Sequence, residues 1–114
     1  MKLLSYYENK SVKLGVKTED GIIDVQAVSE KTGIAAPKTV LDVIEGGDEA
    51  LEALTRIITS SHEKMNEEDI RYAPAIPNAG KVLCVGANYR KHAIESGLAI
   101  PEDPIYFAKY ANSL

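Results

Sequence analysis

The first 25 residues alternate short apolar runs with polar turns, a pattern that is typical of β-strands. The segments "KLLSYY", residues 2–7, and "SVKLGVK", residues 11–17, contain β-branched and aromatic residues and are separated by the polar turn "ENK". They predict a hairpin. Asp20-Gly21 then predicts a type I′ turn, because glycine tolerates positive φ. A third strand is predicted by the apolar residues that follow, which are Ile22, Ile23 and Val25.

The middle of the chain carries the periodicity of two helices. Thr39 is a candidate N-cap with Asp42 three residues later, and Gly46 lies where a left-handed C-terminal cap is favoured. These residues predict a short helix. After Asp48, apolar residues recur at near-helical spacing between charged ones, which predicts a longer amphipathic helix. Its apolar positions are Leu51, Leu54, Ile58 and Met65.

Prolines and a glycine interrupt this pattern in "YAPAIPNAG", residues 72–80, and predict a domain boundary. Beyond it, "KVLCVG" predicts a buried strand, "NYRKHAIES" a short helix and "PIYFAKY" another strand. The mixture of hairpins with one crossover predicts an α+β fold. We expect a small N-terminal domain of strands and two helices in residues 1–75, followed by a strand-helix-strand segment in residues 76–114.

Composition and charge narrow the function classes. The 114 residues include 17 acidic and 13 basic side chains, and the net charge of -4 opposes attraction to nucleic acid and to anionic lipids. The apolar run after Met1 is too short for an export signal or a membrane span. Cys84 is the single cysteine, so no internal disulfide is expected, and its apolar neighbours predict a buried thiol. These features together favour a cytoplasmic location.

His92 and Glu95 are the strongest candidates for chemistry. Positions three apart share one helix face, so an imidazole titrating near neutrality would have a carboxylate beside it, as in a general base. The alternative is ordinary helix surface, with Glu95 paired to Lys91 for a few tenths of a kcal/mol. Spacing alone favours the alternative.

The other candidate residues have structural explanations. His62 follows the long helix in a polar region and is expected at the surface. Glu67, Glu68 and Asp69 lack the spacing of a calcium loop and predict a solvated acidic turn. Cys84 is expected in the core, where a thiolate nucleophile is not favoured. Neither the three-glycine dinucleotide motif nor the phosphate loop occurs.

The block "KVLCVGANYRKHAIESG" followed by "IPEDPIYFAKYANSL" resembles the entry to the catalytic domain of the fumarylacetoacetate hydrolase family, which includes bacterial acylpyruvate hydrolases and oxoheptenedioate isomerases. The resemblance covers roughly residues 76–114. Residues 1–75 resemble the small, variable N-terminal domain of many bacterial members. The resemblance therefore implies that residues 76–114 begin a β-rich catalytic domain, which would be truncated in this chain.

This resemblance implies hydrolysis, decarboxylation or isomerisation of 2-oxo acids or diketo acids such as acylpyruvates. His92 matches the family's base, which activates water, and Glu95 matches its carboxylate partner. Arg90 and Lys109 are candidate substrate-binding cations, although each could equally be a solvated residue or an ion-pair partner. The family uses Mg²⁺ or Mn²⁺ held by acidic residues downstream of the position where this sequence ends, so no metal ligand is assigned here. Dimers are common in the family.

Three hypotheses follow from the sequence. The favoured one is that these residues are the N-terminal part of a longer enzyme and are inactive alone. The second is a small, non-catalytic binding or assembly module that retains this piece of the fold. In the third, the resemblance is accidental and His92 is a surface residue.

Overall fold

The computed structural model describes residues 1–113 and shows two compact units. We refer to Met1–Pro77 as the N-terminal unit and to Asn78–Leu114 as the C-terminal unit. Strands and helices are mixed along the chain, which confirms the predicted α+β class. The assignment of the second unit as the beginning of a catalytic domain stays a prediction.

The N-terminal unit contains a four-stranded antiparallel sheet in the order β3-β2-β1-β4. The predicted hairpin is confirmed by β1, Lys2–Glu8, and β2, Ser11–Thr18, and the predicted third strand by β3, Gly21–Asp24. The fourth strand, β4 at Arg71–Ala73, pairs with β1 and was not predicted. Three residues beside a proline are too few to show an alternating pattern.

The turn between β2 and β3 differs from the prediction. Thr18 pairs with Gly21, so Glu19 and Asp20 are the two turn residues. Neither has positive φ, and a type I′ turn requires it at both positions, so that prediction was wrong. Gly21, the first residue of β3, has φ 138, and its lack of a side chain allows another segment to approach closely. A Cβ atom there would lie 2.8 Å from the backbone oxygen of Met65, which crosses close to this strand.

Helix α1, Val25–Thr32, was not predicted because the apolar run before it was assigned entirely to a strand. Its N-cap is Asp24, whose side chain accepts a hydrogen bond of 3.0 Å from the Ala27 amide. It ends at Gly33, which has φ 73 and donates its amide to the Ser29 carbonyl. Both caps were visible in the sequence as an aspartate and a glycine nine residues apart.

Helix α2, Val40–Ser60, contains both predicted helices. The capping box is present, because the Thr39 hydroxyl accepts from the Asp42 amide and the Asp42 carboxylate accepts from the Thr39 amide. The two helical segments meet at a kink at Gly47, where φ is 52 and ψ is -132. The helix ends at Ser60, before Met65, because the chain there turns to form a bridge with Ile22. No helix in the described part of the chain is long and apolar enough to cross a bilayer.

Both faces of the four-stranded sheet are covered. One face carries the larger core, in which side chains of β2 and β3 pack against α1 and α2. On the other face a smaller cluster forms around Tyr6, with Met65 and Ile70 packed against it. The buried residues of the larger core are Leu14, Val16, Ile23, Val25, Val28, Val43, Ala50, Leu54 and Ile57. Apolar burial on both sides of its sheet gives this unit a core of its own.

A polar cluster lies at the edge of the smaller core. Burial disfavours ionisation of Asp24, but the Ala27 amide, the neighbouring Tyr6 hydroxyl and the Lys13 ammonium at 3.1 Å outweigh it and lower the pKa of Asp24 below 3.8. Burial, followed by the proximity of Asp24, raises the pKa of Tyr6. Within residues 1–113 the buried Tyr6 hydroxyl has no partner at hydrogen-bond geometry, so its effect on Asp24 is one of proximity.

The C-terminal unit contains the predicted strand-helix-strand order. Strands β5, Val82–Gly86, and β6, Ile105–Lys109, form an antiparallel pair, and helix α3, Arg90–Glu95, lies between them in sequence. The prediction that β5 is buried was wrong, since Leu83 is 69% exposed and Val85 is 42% exposed. Cys84 is only partly buried, because among the described residues β5 has one neighbouring strand and no complete layer over it.

We expect Leu54→Ala to lower the free energy of unfolding by about 2–5 kcal/mol, because it leaves a cavity in the larger core. Leu54 is fully buried on α2. The matched control is Leu51→Ala on the same helix, where the side chain is 42% exposed and a change within about 0.5 kcal/mol is expected. Urea unfolding followed by circular dichroism measures both. Equal losses for the two variants would contradict the assigned packing.

The pH dependence of stability in the variant Asp24→Asn tests the contribution of the polar cluster. Asparagine also caps helices, so the variant chiefly removes the charge that faces Lys13, and we expect a loss of about 1–2 kcal/mol at neutral pH. Because the pKa of Asp24 is lowered in the folded protein, its contribution is complete above 3.8 and is lost as pH falls through the lower folded value. Urea unfolding at a series of pH values should show the two proteins converging in acid. A constant difference down to pH 2 would count against this explanation.

Candidate functional site

The candidate site lies where β5 leads into α3. After Gly86 the chain turns through Ala87, which has φ 47, a left-handed conformation that non-glycine residues rarely adopt. Tyr89 occupies the N-cap position of α3 without a side-chain cap. The helix ends with the Leu98 amide donating to the Ala93 carbonyl at 2.9 Å. This short helix therefore depends on backbone hydrogen bonds at its C-terminal end and on the burial of Ala93.

His92 and Glu95 both lie on α3, as the sequence predicted, and both are exposed. Their spacing places their Cβ atoms roughly 5–6 Å apart on one face of the helix. In the described residues, neither side chain forms a hydrogen bond or an ion pair, and no bridge joins Glu95 to Lys91. The pair is therefore accessible to a substrate, but its assignment as a catalytic pair stays a prediction.

Arg90 begins α3 and lines a cavity of about 320 Å³. The other walls come from the turn after β5 and from the proline-containing loop before β6, including Glu102 and Asp103. This places a guanidinium, which binds carboxylates in a bidentate manner, beside a cavity of small-molecule size. Arg90 and His92 lie on one helix, but positions two apart do not share a face, and His92 does not line this cavity.

Lys109 lies at the end of the β5-β6 pair that is remote from Gly86. It pairs with Val82, whereas Gly86, which leads towards α3, pairs with Ile105. Four residues of strand separate the two ends, which is roughly 13 Å of backbone. The register therefore does not bring Lys109 to the strand end from which α3 follows. Its role in substrate binding stays a prediction.

The described residues do not fit a metal site. Among residues 1–113, no group of three or more histidine, cysteine, aspartate or glutamate side chains is arranged to hold a metal ion. Glu67, Glu68 and Asp69 form an exposed turn of 3₁₀ helix, in which Glu67 bonds to Lys17 and Tyr72. Ion pairing and exposure account for this acidic segment without a cation.

A second cavity, of about 420 Å³, was missed by the sequence analysis. It lies in the N-terminal unit along one side of α1 and is closed by residues 60–65. His62 is on its rim, and Lys31 on α1 bonds to Glu63 across it. Nothing in the sequence pattern indicates that these two segments approach each other, because the approach depends on the chain reversing after α2.

The amino-acid sequence is similar to those of several known proteins. It is 28% identical over its full length to the mitochondrial oxaloacetate tautomerase fahd2 of Xenopus laevis, and covers 36% of that protein. It is 30% identical over its full length to the fumarylacetoacetate hydrolase domain-containing protein 2 homolog of Dictyostelium discoideum, and covers 37% of it. No family model matches the chain.

A solved structure from Mycobacterium smegmatis, described provisionally as an HpcE protein, matches 98% of this chain with a TM-score of 0.64 and 25% identity. The match covers 37% of the solved chain, so this protein spans about a third of the length of the relatives that it matches. The sequence resemblance is confirmed: the chain is a homologue of the N-terminal part of fumarylacetoacetate hydrolase domain-containing proteins.

Proposed function

We propose that this chain supplies the N-terminal part of an enzyme that isomerises or hydrolyses 2-oxo acids or diketo acids. The observation that carries the proposal is the exposed His92-Glu95 face of α3, whose two side chains have no ion-pair partner among residues 1–113, in a chain homologous to fumarylacetoacetate hydrolase domain-containing proteins. Several relatives, including the one from Xenopus laevis, are named oxaloacetate tautomerases, so oxaloacetate is the first substrate to test.

The proposed chemistry at His92 is a proton transfer. A neutral imidazole nitrogen accepts a proton from the carbon next to the substrate's keto group, and the electron pair of that C–H bond moves to form the enolate. Return of a proton to the enolate oxygen gives the enol. Glu95, on the same helix face, stabilises the imidazolium that forms in between. In a hydrolase the same base would take its proton from water instead.

Arg90 is proposed to hold a carboxylate of the substrate in the cavity beside α3. Its guanidinium can donate two parallel hydrogen bonds to a carboxylate, which fixes the acid's orientation as well as its position. Positions two apart do not share a helix face, and His92 does not line this cavity, so proton transfer at His92 is proposed separately from carboxylate binding by Arg90. Lys109 is kept as a second candidate cation, although its register in β6 gives this role no support.

Mg²⁺ or Mn²⁺ dependence is proposed from the family resemblance alone. Such an ion would polarise the keto oxygen and stabilise negative charge on it. Because residues 1–113 provide no suitable ligand group, the steps assigned to this chain are limited to proton transfer and carboxylate binding. Homodimer formation and a cytoplasmic location also stay predictions.

A second candidate function is a non-catalytic assembly module. The distribution of buried residues favours it. The N-terminal unit buries apolar side chains on both faces of its sheet, whereas in residues 78–113 Ala93 is the single buried hydrophobic residue. A unit with its own core can serve as a binding domain without any chemistry at His92.

We expect His92→Ala to lower kcat for oxaloacetate tautomerisation by roughly 100-fold or more, because general-base catalysis contributes about that much. The assay uses the intact protein as its cell produces it, with Mg²⁺ or Mn²⁺ added, and follows enol absorbance. Glu95→Gln should also lower kcat and change its pH profile. Lys91→Ala, at an exposed neighbouring position on α3, is the control and should keep full activity. Unchanged turnover in His92→Ala would leave the assembly module as the better explanation.

Arg90→Lys tests carboxylate binding separately from proton transfer. Lysine keeps the charge but loses the bidentate geometry, so we expect KM to rise roughly tenfold while kcat stays within about twofold. Lys91→Arg, which alters the neighbouring cation, should leave both constants unchanged. Steady-state kinetics measure KM and kcat for the wild-type protein and for both variants, each prepared as the intact protein. A fall in kcat with unchanged KM would assign Arg90 a role outside ground-state binding.

A further inference from the structure

The cavity of about 420 Å³ in the N-terminal unit is formed by α1 and by the segment that follows α2. Asp24, Ala27, Val28 and Lys31 line it at spacings of three and four residues, which places them on one side of α1 and its N-cap. Residues 60–65 line the opposite side. The volume lies within the range of about 300–1,000 Å³ that is typical of small-molecule sites.

This cavity combines an apolar surface with polar groups. Ala27, Val28 and Met65 supply the apolar surface, and each of the three is buried or half-buried. The lining also includes two half-buried serines, of which Ser61 donates its hydroxyl to the Glu63 carbonyl. A site of this kind accepts a ligand with an apolar body and one polar or charged end.

The least exposed carboxylate of the cavity is already engaged. The Asp24 side chain is 12% exposed, and it accepts hydrogen bonds from the Ala27 amide at 3.0 Å and from the Lys13 ammonium at 3.1 Å. A ligand cation at Asp24 would have to compete with Lys13 for a charge that is already balanced. The geometry therefore gives little support to a positively charged ligand at this residue.

The two lysines of the cavity, in contrast, have partners that are easily replaced. Lys31 pairs with Glu63 and Lys64 pairs with Asp20, and these two acidic side chains are 81% and 78% exposed. Exposed ion pairs contribute little to stability, so a ligand carboxylate can take the place of either acidic side chain at small cost. An anion entering the cavity thus meets two ammonium groups whose partners can move into water.

The Lys31-Glu63 pair is also asymmetric in how its members are held. Lys31 lies within α1, whereas Glu63 belongs to residues 62–64, whose amides form no backbone hydrogen bond within residues 1–113. Lys31 is less exposed than Glu63, at 59% against 81%. Displacing Glu63 from Lys31 therefore disturbs less structure than displacing Lys31 from Glu63, and the pair favours exchange with an anion.

We propose that this cavity binds a small monocarboxylate with an apolar body. The ligand carboxylate replaces Glu63 at the Lys31 ammonium, and the apolar body lies against Ala27, Val28 and Met65. This site is independent of the proposed function, because His92, Glu95 and Arg90 do not line the cavity.

The experiment uses three compounds that share one apolar body and differ in the charge of one end: phenylpropanoate, phenylpropanol and phenylpropylamine. Each is titrated into the intact protein while methyl NMR signals of Ala27, Val28 and Met65 are followed. We expect these signals to shift. The dissociation constant of phenylpropanoate should be at least about fivefold lower than those of the other two, because a charge-assisted bond to an ammonium group is stronger than a neutral one.

Variants of the ion pair separate charge recognition from apolar binding. Lys31→Gln should remove the preference for phenylpropanoate and leave phenylpropanol binding within about twofold of the wild-type value. Glu63→Gln removes the competing carboxylate and should tighten phenylpropanoate binding by roughly twofold to fivefold, which a purely apolar cavity does not predict. Both side chains are exposed, so both variants should fold. Lys10→Gln is the matched control, at an exposed turn position outside the cavity, and should bind all three compounds as the wild type does.

Equal dissociation constants for the three compounds, or tightest binding of phenylpropylamine, would overturn the assignment of a carboxylate ligand. The same conclusion would follow if Glu63→Gln weakened phenylpropanoate binding. Absence of shifts at about 10 mM ligand, well above the dissociation constant expected for a compound of this size, would overturn the site itself. The experiment measures no turnover, so its outcome is distinct from that of the proposed reaction.

Discussion

The burial of the apolar side of α2 against the sheet is the interaction on which the N-terminal unit depends. Leu54 and Ile57 are fully buried there and share one core with side chains from β2 and β3. The four-stranded sheet meets a requirement for independent stability in water, because its apolar face packs against helices. The kink at Gly47 is compatible with this packing, because it lets the capped first segment and the longer second segment both contribute, through Val43 and Ala50.

Several elements were predictable because their signals are local. The β1-β2 hairpin, the capping box at Thr39 and the strand-helix-strand order around His92 all depend on neighbouring residues and were confirmed. Helix α1 was missed although its caps are local, because Val25 extends the apolar run of β3 and periodicity alone assigns such a run to either element. The three residues of β4 gain their strand conformation only by pairing with β1, which no local pattern contains.

The candidate site was predictable in composition but not in environment. The spacing of His92 and Glu95 predicted a shared helix face, and the structure places both on α3. Their exposure, the register that separates Lys109 from Gly86, and the cavity beside Arg90 all depend on how distant segments pair. The prediction that β5 is buried failed for a related reason, since an apolar sequence indicates a preference for burial and cannot supply the layer that satisfies it.

The unit that carries the candidate chemistry is thus the one with the smaller share of the core. A catalytic pair must be held within roughly 0.5 Å of its productive geometry by packed neighbours. Helix α3 has six residues and rests on one buried side chain, Ala93, so its own packing provides little of that support. Proton transfer at His92, as proposed, therefore requires support for α3 that the described packing of this unit does not supply.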